Sequence, residues 1–148
     1  MQLEIILPGV TRRPLHRRVD SRGWLLKLLM REHVTSAREF GEIYITAAHQ
    51  GQVKGNHYHE RACEWFCVIE GRATMALRVM ATGERASIEL DADRPEIIEV
   101  APGVAHAFKN TNPALMMLLA YADDPYNAEN PDEVRIELLR SDAVASGA

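Results

Sequence analysis

Two histidines and a glutamate, His57, His59 and Glu64, are spaced so that they could hold one metal ion. His57 and His59 lie two residues apart, so on a β-strand both imidazoles project from the same face. A neutral imidazole offers a free ring nitrogen to a cation. Glu64 follows a short reversal and opens the next predicted strand, so its carboxylate can return over the same point if the two strands pair.

A fourth candidate ligand, His106, follows the turn Ala101-Pro102-Gly103, which would deliver a strand that starts near this histidine. Three nitrogens and a carboxylate suit a divalent ion. Zinc is the first expectation, and iron, manganese, nickel and cobalt are also acceptable to this donor set. Strand alternation puts Cys63 and Cys67 on the face opposite Glu64, which excludes both thiols as ligands of the same ion.

The elements that must position these residues are short strands, because the apolar segments are brief, rich in branched and aromatic residues and bounded by turn residues. We predict strands over 24–30, 39–47, 55–59, 64–70, 74–79, 86–90, 96–100, 106–110 and 115–122. Nine such strands indicate an all-β barrel. The length of 148 residues predicts one domain over 1–140, and the small polar residues 141–148 predict a disordered tail.

Composition narrows the possible partners and the compartment. A formal charge of -4 offers no basic field for nucleic acid. The longest apolar run, Ala114 to Ala122, is about half the roughly 20 residues that a membrane helix needs. The N-terminus lacks the features of a signal peptide, and the two cysteines are too close together for a useful disulfide. These features favour a cytoplasmic protein with small-molecule or protein partners and no membrane contact.

The spacing of the candidate ligands resembles the two signature motifs of the cupin superfamily. The first motif reads Gly51-x5-His57-x-His59-x4-Glu64-x6-Gly71, and the second reads Gly103-x2-His106-x3-Asn110. The usual proline two residues before the second motif's glycine is Ala101 here. The resemblance implies a jelly-roll β-barrel, and in the metal-binding members the ligands correspond to His57, His59, Glu64 and His106.

A closer similarity, over about residues 22–135, is to the nucleotide-sugar cupins of polysaccharide biosynthesis. The segments Lys54-Gly-Asn-His-Tyr-His59 and Glu129-Asn-Pro-Asp132 carry it. One branch contains the metal-free dTDP-4-dehydrorhamnose 3,5-epimerases, and a nearer branch is the metal-containing cupin half of the capsular-polysaccharide epimerase/reductase. The resemblance implies an isomerase that removes a proton beside the ketone of a 4-keto deoxysugar, carried on a nucleoside diphosphate, with a metal stabilising the enolate.

The resemblance also implies roles for individual residues. Lys54 is expected to contact the diphosphate, and Asn56 beside it to bind substrate. In the metal-free epimerases the residue aligned with His57 is the general base, and the residue aligned with Tyr126 is the acid. Packing is an alternative role for Tyr126. The two roles of His57 compete, because a nitrogen that binds a metal ion cannot also take a proton. His59 stands where the metal-free epimerases have a glutamine, which completes a metal site and favours metal binding by His57.

Other functions and the oligomeric state stay open at this stage. The same four ligands would suit a non-catalytic metabolite-binding cupin, or a metal-dependent oxygenase or isomerase outside sugar metabolism. The strand from Glu64 is apolar on both faces, so its outward residues Trp65 and Ile69 need a cover, which predicts a homodimer. The other histidines are expected to be hydrogen-bonded core residues: His16, His33 and His49.

Overall fold

The computed structural model describes residues 2–35 and 38–143, and within them it contains thirteen strands and one 3₁₀ turn over Arg31–His33. The strands are β1 (Glu4–Leu7), β2 (Val10–Pro14), β3 (Arg18–Asp20), β4 (Gly23–Leu25), β5 (Glu42–Ala48), β6 (Val53–His59), β7 (Glu64–Glu70), β8 (Arg72–Val79), β9 (Arg85–Asp91), β10 (Glu96–Val100), β11 (Val104–Lys109), β12 (Met116–Ala122) and β13 (Glu133–Arg135). The predicted all-β class is confirmed. No helix among the described residues is long and apolar enough to cross a membrane.

The strands form two large antiparallel sheets and one small hairpin. One sheet has the order β1-β2-β10-β7-β12-β5, the other has the order β13-β6-β11-β8-β9, and β3 pairs only with β4. Strands that follow each other in sequence, such as β5, β6 and β7, alternate between the two large sheets. This alternation between facing sheets is the jelly-roll arrangement.

The interior between the two sheets is apolar except at one end. Its largest fully buried apolar side chains include Phe66, Phe108, Met75, Leu77, Ile98, Met116 and Leu118. Strand β8 illustrates the alternation, because its inward residues are buried while the residues between them are partly exposed. Glu64 and His106 are polar, yet they lie among these side chains at 2% and 1% exposure.

The predicted strand over 24–30 is wrong beyond Leu25, because the following residues cross the outside of the barrel as a loop. Leu28 and Leu29 pack against the cluster of Trp65, Cys67 and Ile97 on the outward face. The segment is therefore apolar because its side chains pack over the outward face of β7. It does not pair with another strand in a sheet. The segment provides part of the cover that the two-faced apolar pattern of β7 required.

Four strands were not predicted, namely β1, β2, β3 and β13. The first three lie in the N-terminal region, where charged residues interrupt the apolar pattern. Strand β13 has only three residues and follows Pro131 and Asp132, so its sequence is typical of a loop. It is a strand because β6 offers it a free edge, with Glu133 opposite His59 and Arg135 opposite His57.

The predicted tail over 141–148 is only partly described, and residues 144–148 lie outside the described residues. Ser141 accepts a hydrogen bond from the Val53 backbone N–H at 3.0 Å. The Asp142 carboxylate contacts Lys109 Nζ at 2.8 Å. Ser141 and Asp142 therefore contact the packed domain, and the disordered tail over 141–148 stays a prediction.

Candidate functional site

Three strands from both large sheets bring the candidate ligands together. His57 lies directly opposite His106 in the pairing of β6 with β11, and Glu64 begins β7 in the facing sheet. One side-chain ligand atom from each of His57, His59, Glu64 and His106 lies within 4.8 Å of the others. The four residues predicted as metal ligands thus form one cluster inside the barrel.

A backbone irregularity in β6 sets this register. Gly55 has a φ of +91°, and a Cβ at this position would lie 2.8 Å from the backbone oxygen of His106. The next residue, Asn56, also has a positive φ of 61°. The pairing with β11 shifts between His106 and Ala107, which is a β-bulge. Because only glycine allows this close approach, Gly55 lets the two histidine-bearing strands meet at His57 and His106.

Three of the four ligands, His57, His106 and Glu64, have a second contact that fixes their orientation. His57 Nδ1 lies 2.7 Å from Glu133 Oε1, and His106 Nδ1 lies 3.1 Å from the backbone oxygen of Val104. Both contacts suit a ring with its proton on Nδ1, which leaves Nε2 as a free lone pair. The Tyr44 hydroxyl donates to Glu64 Oε2 at 2.9 Å, which leaves Oε1 available.

The atoms left available are buried and lack hydrogen-bond partners among the described residues. They are Nε2 of His59, Nε2 of His106 and Oε1 of Glu64. His59 Nε2 lies 2.8 Å from Glu64 Oε1, and His106 Nε2 lies 3.3 Å from the same oxygen, but without the alignment of hydrogen bonds. Unsatisfied buried polar atoms are costly, and one cation would satisfy all three. The residues therefore fit a divalent metal ion with nitrogen and oxygen ligands.

The protonation states of His57 and Glu64 agree with that fit. Burial and the neighbouring His106 lower the pKa of His57 to about 4, so its ring is neutral at pH 7. Burial alone would raise the pKa of Glu64, but the adjacent His106 and His59 outweigh it and lower this pKa below its usual range. Burial opposes protonation of His59, yet the Glu64 carboxylate dominates and raises the His59 pKa.

Two cavities open on either side of the cluster. The first has a volume of 370 Å³, and its lining includes Phe66, Phe108 and two basic residues, Lys54 and Arg135. The second has a volume of 290 Å³, and its lining includes Glu42, Asp124, Asp132 and Tyr126. His57, Tyr44 and Glu133 line both cavities. The cluster is therefore reached from a basic side and from an acidic side.

The other predicted site residues have different surroundings. Lys54 is exposed in the first cavity, and Tyr126 is 66% exposed in the second. Asn56 uses its amide elsewhere, since Oδ1 accepts from the Leu138 and Leu139 backbone N–H groups and Nδ2 donates to the Leu139 oxygen. Its contacts are those of a residue that holds the C-terminal segment, and its substrate-binding role stays a prediction.

The histidines outside the cluster differ from their prediction as hydrogen-bonded core residues. His16 and His49 are exposed, so that prediction is wrong for both. His33 is half-buried, and its Nδ1 accepts from the Met30 backbone N–H at 3.4 Å. The short surface segments around these residues do not cross the interior.

Sequence reasoning missed four residues at the site: Tyr44, Asp132, Glu133 and Arg135. The alternation of β5 holds a signal for Tyr44, because Glu42, Tyr44 and Thr46 share one face of that strand. Nothing in the sequence predicts the register of β13, which brings the other residues to the histidines.

Comparison with known proteins identifies the family. Residues 18–134 match the family described as Polysaccharide biosynthesis C-terminal domain. The chain belongs to this family. The chain is 31% identical over 119 residues to the UDP-2-acetamido-2,6-beta-L-arabino-hexul-4-ose reductase of Pseudomonas aeruginosa (strain PA103). The match covers 80% of this chain and 30% of the reductase, so the chain spans less than a third of that relative's length.

Two further comparisons cover most of both chains. The spore coat polysaccharide biosynthesis protein SpsL of Bacillus subtilis is 25% identical over 136 residues, which cover 88% of this chain and 89% of SpsL. The crystal structure of dTDP-6-deoxy-D-glucose-3,5-epimerase RmlC from Legionella pneumophila, in complex with dTDP-4-keto-L-rhamnose, superposes with a TM-score of 0.80. That match has 15% identity and covers 93% of this chain and 78% of RmlC. The predicted cupin jelly roll is confirmed, and so is the resemblance of the chain to nucleotide-sugar cupins.

Proposed function

We propose that this member of the polysaccharide biosynthesis family is an isomerase that epimerises a 4-keto deoxysugar carried on a nucleoside diphosphate. The observation that carries the proposal is the convergence of His57, His59, Glu64 and His106 on one point between two cavities. The names of the relatives support the substrate class. The Pseudomonas relative is named for a UDP-linked hexul-4-ose, and the Legionella enzyme was solved with a dTDP-linked 4-keto sugar.

In this proposal the four residues hold a divalent ion, with zinc as the first expectation. The ligand atoms are Nε2 of the three histidines and Oε1 of Glu64, because other contacts engage Nδ1 of His57 and His106 and Oε2 of Glu64. When bound, a divalent ion would supply Lewis acidity toward the ketone oxygen. Phe66 and Phe108 give this cavity an apolar wall, which lowers the local dielectric and strengthens electrostatic interactions there.

Charge determines the proposed orientation of the substrate. Lys54 and Arg135 outnumber Glu133 in the first cavity, whereas Glu42, Asp124 and Asp132 make the second cavity acidic. A diphosphate carries negative charge, so the first cavity attracts it and the second repels it. The nucleotide therefore enters beside Lys54 and Arg135, and the sugar reaches the histidines from that side.

Proton transfer is assigned to groups that face the cavities. As a ligand, His57 cannot take a proton at Nε2, whereas without the ion its ring, held by Glu133, is a base at that nitrogen. Tyr44 and Tyr126 are the candidate acids on the second cavity. Burial and the adjacent Glu64 raise the pKa of Tyr44, which keeps its hydroxyl protonated but makes it a weaker acid.

The experiment that tests the proposed reaction is solvent deuterium exchange. Purified protein is incubated in heavy water with UDP- and dTDP-linked 4-keto-6-deoxysugars, and deuterium beside the ketone is measured by NMR. We expect uptake at one or both neighbouring carbons, and its loss in His57→Gln. Ligand-induced thermal stabilisation without deuterium uptake would instead indicate a metabolite-binding protein and would contradict the enzymatic proposal.

We also infer that the protein acts as a homodimer through the outward face of the larger sheet. Ile43 and Ile45 point outward from β5 and are 58% and 55% exposed, and β5 is an edge strand of the larger sheet. A cavity of 710 Å³ beside them is lined by apolar residues that include Phe40, Trp65 and Leu119. A second copy of the chain would cover this apolar face.

Light scattering at micromolar concentration tests the dimer. We expect the parent protein to have twice the chain mass and Ile43→Glu to shift toward the monomer. Arg85→Glu on β9 is the matched control for a surface charge change, and it should leave the mass unchanged. A monomeric parent protein would contradict the inference.

A further inference from the structure

The loop that joins the two ligand-bearing strands has an unusual source of hydrogen bonds. This ligand loop, residues 60–63, separates His59 at the end of β6 from Glu64 at the start of β7. Its residues are Glu, Arg, Ala and Cys, none of which is typical of tight turns. The composition of the loop therefore does not explain its shape, although the distance between His59 and Glu64 depends on that shape.

Two aspartates from distant parts of the chain accept hydrogen bonds from all four backbone N–H groups of the ligand loop. Asp132 Oδ1 accepts from Glu60 at 3.0 Å and from Arg61 at 2.8 Å, and its Oδ2 accepts from Ala62 at 2.8 Å. Asp123 Oδ1 accepts from Cys63 at 2.9 Å. Hydrogen bonds to an ionised carboxylate are stronger than neutral ones, so these two side chains hold the loop.

Asp132 has one contact that Asp123 lacks. Its Oδ2 lies 3.5 Å from Nδ1 of His59, while Nε2 of the same ring lies 2.8 Å from Glu64 Oε1. The side chain of Asp132 is 12% exposed, so water screens this contact only weakly. A carboxylate beside Nδ1 favours the ring form with its proton on that nitrogen, which directs the lone pair of Nε2 into the cluster.

We propose that Asp132 is a positioning residue of the metal centre, which fixes the ligand loop and the ring of His59 so that His59 and Glu64 address one ion. This inference rests on the metal site of the proposed function. It gives a role to the last residue of the Glu129-Asn-Pro-Asp132 segment, since this segment delivers the carboxylate to the loop from outside β6 and β7. Asp132 acts through His59 and Glu64 and not on the substrate.

The test is metal affinity, measured with Co²⁺ by chelator competition, together with the visible spectrum of the bound ion. We expect Asp132→Ala to bind Co²⁺ about 10 to 100-fold more weakly than the parent protein and with an altered spectrum. Asp132→Asn, which keeps one acceptor oxygen, should be intermediate. Asp142→Ala is the matched control, because it removes a carboxylate that contacts Lys109 and not the ligand loop.

The outcomes separate this inference from the proposed function. Co²⁺ binding by Asp132→Ala within twofold of the parent, with the same spectrum, would overturn the role of Asp132 and leave the metal site intact. If Asp132→Ala does not fold, the same criterion applies to Asp132→Asn. A parent protein that does not bind Co²⁺ would refute the metal site, and the positioning role with it.

Discussion

Glu133 Oε1 lies 2.7 Å from Nδ1 of His57, across the pairing of the last strand with β6. Either proposed role of His57 needs this carboxylate. If His57 binds a metal ion, Glu133 fixes the ring with Nε2 toward the ion. If His57 is a base, Glu133 stabilises the imidazolium that forms. Glu133 therefore joins the C-terminal strand to the chemistry of the cluster.

The first prediction concerns this carboxylate. Glu133→Gln keeps an oxygen that can accept from His57 but removes the charge, so we expect deuterium exchange about 10 to 100-fold slower than in the parent. Glu137→Gln is the control, because Glu137 pairs with the exposed Arg140. Equal exchange rates in Glu133→Gln and the parent would show that the contact has no role in the reaction.

The second prediction concerns Tyr44, whose hydroxyl donates to Glu64. Tyr44→Phe leaves Glu64 Oε2 buried without this donor, which should cost about 2 kcal/mol of unfolding free energy. If Tyr44 also returns the proton, the rate of product formation should fall by a larger factor than the affinity for Co²⁺. Tyr58→Phe is the control, since alternation along β6 puts Tyr58 on the face opposite the two histidines. Unchanged product formation in Tyr44→Phe would assign the proton to another group.

The third prediction concerns the basic cavity. Lys54→Gln and Arg135→Gln should each weaken the binding of UDP or dTDP about 5 to 10-fold, as measured by calorimetry, and the loss should shrink at high salt. Arg140→Gln changes an exposed arginine of the same C-terminal segment and should bind like the parent. Unaltered affinity in both cavity variants would place the diphosphate elsewhere.

The fourth prediction concerns acid stability of the metal-free protein. The pKa of His57 falls from 6.5 to about 4 on folding, so between these pH values the unfolded chain binds more protons. Stability should therefore decrease as the pH falls from 6.5 to 4, by at most about 1.4 kcal/mol per pH unit from this residue. The raised pKa of His59 favours the folded state below 6.5, but this contribution is constant within the window.

Urea unfolding at pH 7, 5.5 and 4.5 provides the measurement. Other acidic groups contribute equally to the pH dependence of stability in both proteins. The quantity of interest is therefore the difference in unfolding free energy between the parent and His57→Gln. The variant should have the shallower pH dependence. Parallel curves for the two proteins would contradict the lowered pKa of His57.

The sequence predicted the part of the site that depends on strand geometry. His57 and His59 share a face because alternation has a period of two, and Glu64 reaches them because one short loop joins β6 to β7. The Pro-Gly turn made His106 a candidate ligand, but only the resemblance to the cupin motifs placed it beside His57 and His59. Its pairing with β6 is a contact between residues that are distant in the chain.

The remaining part of the site depends on tertiary contacts that leave little local trace. Strand β13 contains three residues after a proline and an aspartate, and only its register against β6 brings Glu133 to His57. Asp132 is typical of a turn residue, yet it serves the turn between two other strands. Likewise, the apolar residues after Leu25 have the composition of a strand but form a loop over Trp65.

The most direct test of the central claim is elemental analysis of the purified protein beside His59→Ala and Glu64→Ala. We predict about one divalent ion per chain in the parent protein and its loss in both variants, because each removes a buried ligand atom. No metal in the parent protein after purification in the presence of zinc would contradict the metal centre, and would favour His57 as the base of a metal-free reaction.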